Sequence, residues 1–361
     1  MATLIEEGFL LIADLSGYTE YLSRSELEHA PAIAGDLLET VVGRLDPPFR
    51  LGKFEGDAAF LYVEAERADG SLLFDAIEAA YLAFRRRLRS IDQASACDCN
   101  SCRLAPRLDL KFIIHHGSYV LSRIVGRDEL AGSDVILVHR LLKGVASTAT
   151  RGGFVLATES AVGALGIEPT ALGATVGEES VEHLGNVRTY AIDLEARWQA
   201  EAGFRRLTEG EGEPILDVTL TAQAGPAVVW GYLTAPALRA LWEGPMEIVE
   251  ESPTGMRGVG TTSQCVTGRL ATLEEIVDYQ PYDHIGWRIA VPDVGPVAAV
   301  VDLEAEEGGS RLRVRWESLA SEPVDPSIIE RIRVEREAAL QRLVTIVVGT
   351  LPVIEQSEAN A

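Results

Sequence analysis

Nowhere in the 361 residues is there an apolar run long enough to cross a membrane as a helix, and no low-complexity tract interrupts the chain. Glutamates stand near the N-terminus where a secretory signal would place basic residues. The expectation is a soluble, cytoplasmic protein with no membrane span. Basic residues are the scarcer charge: 32 Lys and Arg face 55 Asp and Glu, giving a net charge of −23 and a pI near 4.7. Nucleic acid and anionic membrane surfaces are repelled by such a balance, so no nucleic-acid partner is expected. A small anionic ligand would need a divalent cation to bind. Cysteine is scarce too, with four in all, and three of them crowd into C-D-C-N-S-C as Cys97, Cys99 and Cys102. Either they hold Zn²⁺ with a fourth ligand from His115, His116 or a partner chain, or they are reduced thiols of a cytosolic loop.

What is present is globular in composition, 47% hydrophobic and 24% charged, and long enough for two or three domains. The first informative stretch is G-F-L-L-I-A-D-L-S-G-Y-T-E-Y, Gly8 to Tyr21. Phe9 to Ala13 reads as a strand buried on both faces, ending in the carboxylate of Asp14. Gly17 permits a sharp turn, and Thr19 is placed to cap a following helix. Asp14 can then reach a cation, with the Leu15 carbonyl as a second hard oxygen ligand, or it can simply cap the turn. A second stretch, Arg50 to Val63, reads as strand, turn at Glu55-Gly56, and strand, with Asp57 at the tip and Lys53 four residues before it. Two carboxylates at neighbouring strand ends can hold a pair of Mg²⁺ or Mn²⁺ ions that clamp the oxygens of a phosphoryl displacement.

A-D-L-S-G-Y-T and K-F-E-G-D-A resemble the metal-binding strand and hairpin of the class III nucleotidyl cyclases. L-K-F-I-I-H-H-G-S-Y-V followed by E-L-A-G-S-D-V-I-L-V-H-R-L-L-K is similar to that family's later strand, glycine turn and helix, in the same order along the chain. The resemblance covers about the first half and implies ATP as the nucleotide, cyclic AMP and pyrophosphate as products, and a homodimer with sites between two catalytic domains. It assigns Asp14 and Asp57 to the metals with Leu15 as a backbone ligand, Lys53 and Glu129 to reading adenine, and Arg140 to the charge on the phosphates. Two positions depart from the pattern. Ile136 stands where the family has a ribose-orienting Asn, and E-H-L-G-N-V-R-T-Y lacks the phosphate-binding Lys, with Arg188 too far along to replace it. A catalytically degenerate nucleotide-binding or dimerisation domain is therefore the alternative to a cyclase.

Helical spacing over Ser25 to Leu45, broken at Ala30-Pro31, and over Leu72 to Leu88 surrounds these motifs, the second helix ending on Arg85-Arg86-Arg87 as a C-terminal cap. The alternation implies an α+β fold with a ferredoxin-like β-α-β-β-α-β core over residues 1–194. Residues 195–213 read as a linker with a short helix, residues 214–350 as a second domain and residues 351–361 as a tail. In the second domain one strand, two short helices opened by Pro226 and Pro236, six strands and a closing helix from Pro326 follow in order. That succession, with A-P-A-L-R-A-L-W and V-D-Y-Q-P-Y-D, resembles the START-like superfamily, the helix-grip fold of polyketide cyclases and lipid-transfer domains. The resemblance implies an apolar cavity for a hydrophobic small molecule. Trp242, Cys265, Trp287 and Trp316 are candidates to line it, although aromatics at strand spacing also serve as plain core.

Overall fold

The computed structural model describes residues 5–94, 99–124, 127–145, 152–203, 213–267, 270–321 and 323–348. They form two compact units that divide after Gly203. The first opens with β1 (Ile5–Ser16), buried without interruption from Gly8 to Leu15. Gly17, at φ +85°, takes the cap position of α1 (Tyr18–Arg24), and no side chain caps it, so the cap expected from Thr19 does not form. A left-handed glycine turns the chain tightly enough to start the helix one residue before Thr19. Then come α2 (Ala30–Leu45) with Pro31 in its first turn, β2 (Arg50–Glu55), β3 (Ala58–Glu64), α3 (Gly70–Ala94) and α4 (Asn100–Leu104). The second half of the unit contains β4 (Asp109–Ile124), β5 (Arg127–Ala131), α5 (Ser133–Val145), β6 (Phe154–Thr158), α6 (Glu159–Leu165), β7 (Thr175–Val181), β8 (Gly185–Asp193) and α7 (Leu194–Gly203).

Strand order is β2-β3-β1-β4-β6-β8-β7, with β5 paired to β4. In its first four strands each is antiparallel to its neighbour and, with α2 and α3, they make the expected β-α-β-β-α-β core in the order 2-3-1-4. β6 then joins parallel to β4 through α5. Side chains alternate along β1, so Leu10 and Ile12 pack with Phe60, Ile113, Val138 and Leu141 beneath α5. Phe9, Leu11 and Ala13 therefore point to the opposite face. The basic run of α3 is not a C-terminal cap, because the helix continues to Ala94. Arg87 instead pairs with Asp36 (2.6 Å), while Arg85 and Arg89 lie over the Trp198 ring of α7. Tyr81 donates to Glu195 (2.8 Å), and Arg197 meets Glu78 (2.5 Å), so the short helix expected as a spacer packs on α3.

The second unit runs β9 (Glu213–Ala222), α8 (Pro226–Thr234), α9 (Pro236–Glu243), β10 (Glu247–Glu251), β11 (Thr262–Thr267), β12 (Leu270–Gln280), β13 (His284–Val291), β14 (Gly295–Glu306), β15 (Gly309–Ser318) and α10 (Pro326–Ile346). Seven antiparallel strands lie in the order β10-β11-β12-β13-β14-β15-β9, so the first strand closes onto the last. Pro326 in the first turn and Asp325, which accepts from the Ser327 N–H (2.8 Å), start α10. This helix packs on α9 and β9. Trp230 is fully buried, edge-on to Tyr279 and Tyr282. Among the described residues no helix is long and apolar enough to cross a membrane.

Candidate functional site

At the end of β1 the fold brings two carboxylates together. Asp14 sits opposite Ala58 on one side and Lys111 on the other. Gly56, at φ +70°, turns the β2–β3 hairpin, and the Leu15 N–H donates to the Asp57 carbonyl (3.1 Å), tying the hairpin tip to the strand end. Burial pushes the Asp57 carboxyl above its ordinary value, and the Asp14 charge pushes it further. Sequence reasoning missed the cation already present: Lys111 Nζ lies 3.0 Å from Asp14 Oδ2, with both side chains largely buried. Lys111 shares the face of Ile113, two positions later in β4, and Asp14 that of Ile12, two positions earlier in β1, so alternation gives each its face and only the strand register sets them opposite one another.

A second group gathers around β2, β5 and α5. Lys53 Nζ is 3.0 Å from Glu129 Oε2 and 3.2 Å from Glu55 Oε1, and these carboxylates hold the ammonium pKa raised, the Glu129 hydrogen bond most of all. His139 extends the group, with Nε2 2.8 Å from Glu55 Oε2 and Nδ1 2.6 Å from the Val135 carbonyl. From sequence Glu55 reads only as part of the hairpin turn, and His139 carries no expectation. Arg140, the next residue, turns to Glu182 (3.2 Å). Ile136 is exposed on the same helix and shares a shallow groove with Val135, His139, Arg140 and Lys143. Among the described residues no hydrogen bond or ion pair joins the Asp14–Asp57 pair to the Lys53–Glu129 group.

Of the two adjacent histidines, His115 is buried, its Nδ1 2.9 Å from Thr158 Oγ1 and its Nε2 3.3 Å from Asp134 Oδ1. His116 lies against the Phe9 ring. Among the described residues neither joins the group that Cys99 and Cys102 form. The thiol cluster instead involves His29, whose Nδ1 is 3.3 Å from Cys99 Sγ. Cys97 lies outside the described residues. Arg188 pairs with Glu159 (3.6 Å) and covers Tyr190.

In the second unit Trp242, Trp287 and Trp316 line a cavity of about 40 Å³ with Leu233, Ile289 and Leu340. That is room for a few waters at the ~10–15 Å³ each requires, so a larger guest must displace side chains. Cys265 is not among the lining residues. Burial pushes its thiol up to about 12, and neighbouring Glu274 adds to the shift. The cavity also contains charges that sequence reasoning missed. Arg239 donates through Nε and Nη2 to Glu243 Oε1 (2.9 and 2.7 Å) and through Nη1 to Glu274 Oε2 (2.9 Å). Arg336 Nη1 donates to Glu243 Oε2 (3.2 Å). Burial alone would raise the Glu243 carboxyl, yet the two guanidiniums hold it below its ordinary value. Arg336 and Arg239 also lie over the Trp316 and Trp287 rings, at 5.3 and 5.9 Å from their centroids. The two cations and two anions balance, as a buried cluster requires.

Residues 214–348 match the family of polyketide cyclase/dehydrase and lipid transport proteins. This START-like assignment agrees with the succession of elements and the antiparallel sheet order, in which β9 lies beside β15. Residues 34–149 match a family described only as a protein of unknown function. An uncharacterized protein of Mycobacterium tuberculosis is 38% identical over 107 residues, which is 30% of this chain and 50% of that protein. The match thus spans about half the length of that curated relative. Among solved structures, a guanylyl cyclase is similar over 53% of this chain and 94% of its own, at 17% identity and a TM-score of 0.40. An adenylyl cyclase from P. aeruginosa is similar over 53% and 96%, at 15% identity and a TM-score of 0.40. A putative protein of the dynemicin biosynthetic locus is similar over 36% of this chain and 45% of its own, at 17% identity and a TM-score of 0.30.

Proposed function

We propose that the first unit is a class III cyclase-type nucleotide site that converts ATP to cyclic AMP and pyrophosphate, working as a homodimer, and that the second unit binds a hydrophobic small molecule. The observation that supports this most is the adjacency of Asp14 and Asp57, which the Leu15 N–H to Asp57 carbonyl bond fixes at the strand end and where burial first, and the Asp14 charge second, push the Asp57 carboxyl up. Such a pair attracts a cation, and hard oxygen donors suit Mg²⁺ or Mn²⁺. Asp14, Asp57 and the Leu15 carbonyl would hold the ions, which would supply charge stabilisation to the triphosphate. The Lys53 ammonium and Glu129 carboxylate offer a donor and an acceptor side by side, as an adenine edge requires. Arg140, on the exposed side of α5, supplies a cation for the phosphates across a dimer.

The Lys111–Asp14 pair favours a second reading, a nucleotide-binding domain without turnover. An ammonium 3.0 Å from one of the two carboxylates already supplies part of the charge that a divalent ion would bring. The test is cyclic AMP formation from ATP by the purified full chain with Mg²⁺ and then Mn²⁺, against an Asp57→Asn control and a parallel GTP assay. Product above the control supports the cyclase. ATP binding without product in any condition supports the second reading, and no ATP binding overturns both.

A further inference from the structure

We infer that His29, Cys99 and Cys102 form a zinc site that fastens the α1–α2 connection to α4. The three ligand atoms lie within 4.8 Å of one another, drawn from segments seventy residues apart. In a tetrahedral site with Zn–S near 2.3 Å and Zn–N near 2.1 Å, ligand atoms stand about 3.5–3.8 Å apart. The His29 Nδ1 to Cys99 Sγ separation of 3.3 Å is close to that spacing before any ion draws the ligands in. Two thiolates and an imidazole are a soft set, which selects zinc over the hard cations suited to Asp14 and Asp57.

The surrounding backbone holds the ligands in place. Cys99 caps α4, and its Sγ accepts the N–H of Cys102 (3.5 Å), so the two sulfurs of the C-x-x-C turn converge. Glu26, three residues before His29, accepts from the N–H groups of Asn100 (3.1 Å) and Ser101 (3.0 Å), while Ser101 Oγ donates to the Glu26 carbonyl (3.0 Å). The two segments are thus aligned by contacts that do not use the ligand atoms. Metal binding displaces the thiol protons, and its free energy adds to that of folding. The site requires nothing of the nucleotide chemistry, and its test is separate from any activity.

The experiment is metal analysis of the full chain purified without chelator and dialysed against zinc and then buffer, beside His29→Gln, Cys99→Ser and Cys102→Ser. About one zinc per chain is expected in the unaltered protein and much less in each variant, with circular dichroism showing that the variants remain folded. Replacement by Co²⁺ should give thiolate charge-transfer bands that His29→Gln changes. A chelator should lower the thermal midpoint of the unaltered chain and leave that of Cys102→Ser unmoved. Substoichiometric zinc after dialysis, full zinc retention by His29→Gln, or a Cys99–Cys102 disulfide in freshly purified protein would each overturn the site.

Discussion

The two units handle charge in opposite ways. Beneath the START-like sheet, Arg239, Glu243 and Glu274 are each less than a tenth exposed and balance with Arg336 into a closed set, so every charge there is matched within the unit. At the end of β1, three groups meet with two negative charges and one positive, and the Asp57 carboxyl is held above its ordinary value. A closed set supports a fold and shapes a cavity. An unbalanced set leaves a negative charge that a proton or an added cation can meet.

Breaking the closed set should have the largest effect. Arg239→Met leaves Glu243 and Glu274 buried with only Arg336 nearby, and should destabilise the second unit by roughly 3–5 kcal/mol, as loss of one partner of a buried ion cluster does. Urea unfolding followed by tryptophan fluorescence would measure this. A loss as small as that of a surface pair would show that the cluster is open to water. By contrast, Asp57→Asn in the first unit should leave the metal-free fold as stable or slightly more so, while reducing cyclic AMP formation by ~10²–10³ if the cyclase reading holds. Were it to unfold the unit instead, the carboxylate would be structural and the contrast between the units would disappear.

Lys111→Gln sharpens the same contrast. Removing the ammonium beside Asp14 should tighten Mn²⁺ binding on the order of tenfold, an effect of about 1.4 kcal/mol. Isothermal titration would read it, and unchanged affinity would mean that Lys111 does not compete with the metal.

The smallest effect is a pH slope in the second unit. Burial alone would depress the His284 imidazolium, but hydrogen bonds and charge from Asp278 and Asp302 outweigh it, so its pKa is raised from the ordinary 6.5. The folded chain therefore holds this proton more tightly than the unfolded one. Its stabilisation is complete below about pH 6.5 and is lost as pH rises through the folded value. His284→Gln should flatten the fall in thermal midpoint over that window, and an unchanged slope would assign the dependence to other groups. Asp57 shares the sign through the opposite charge type. Its raised carboxyl favours the metal-free fold below its ordinary 3.8 and loses that advantage as pH climbs through the higher value.

Much of the frame was legible in the chain because it is local. An uninterrupted apolar run identified β1, Glu55-Gly56 marked the hairpin, and Pro226, Pro236 and Pro326 each opened a helix where expected. The helix caps and ends were less legible. Gly17 displaced Thr19 because backbone conformation outranked a side-chain cap, and α3 outran its basic run because those arginines found Asp36 and Trp198 as partners. Part of the buried cluster could have been anticipated, since Arg239 and Glu243 stand four apart on one short helix, a spacing that places them on one face.

By itself, then, the sequence determined the periodicities, the turns, the acidic balance and the positions of Asp14 and Asp57 at strand ends. These depend on residues within a few places of one another. Tertiary structure alone decided that Lys111 neutralises Asp14, that His29 meets Cys99, and that Glu274 and Arg336 close on Arg239 and Glu243. Each of these joins side chains from separate elements. Strand register and helix packing set their distances, and a buried charge takes whichever opposite charge the fold brings within reach.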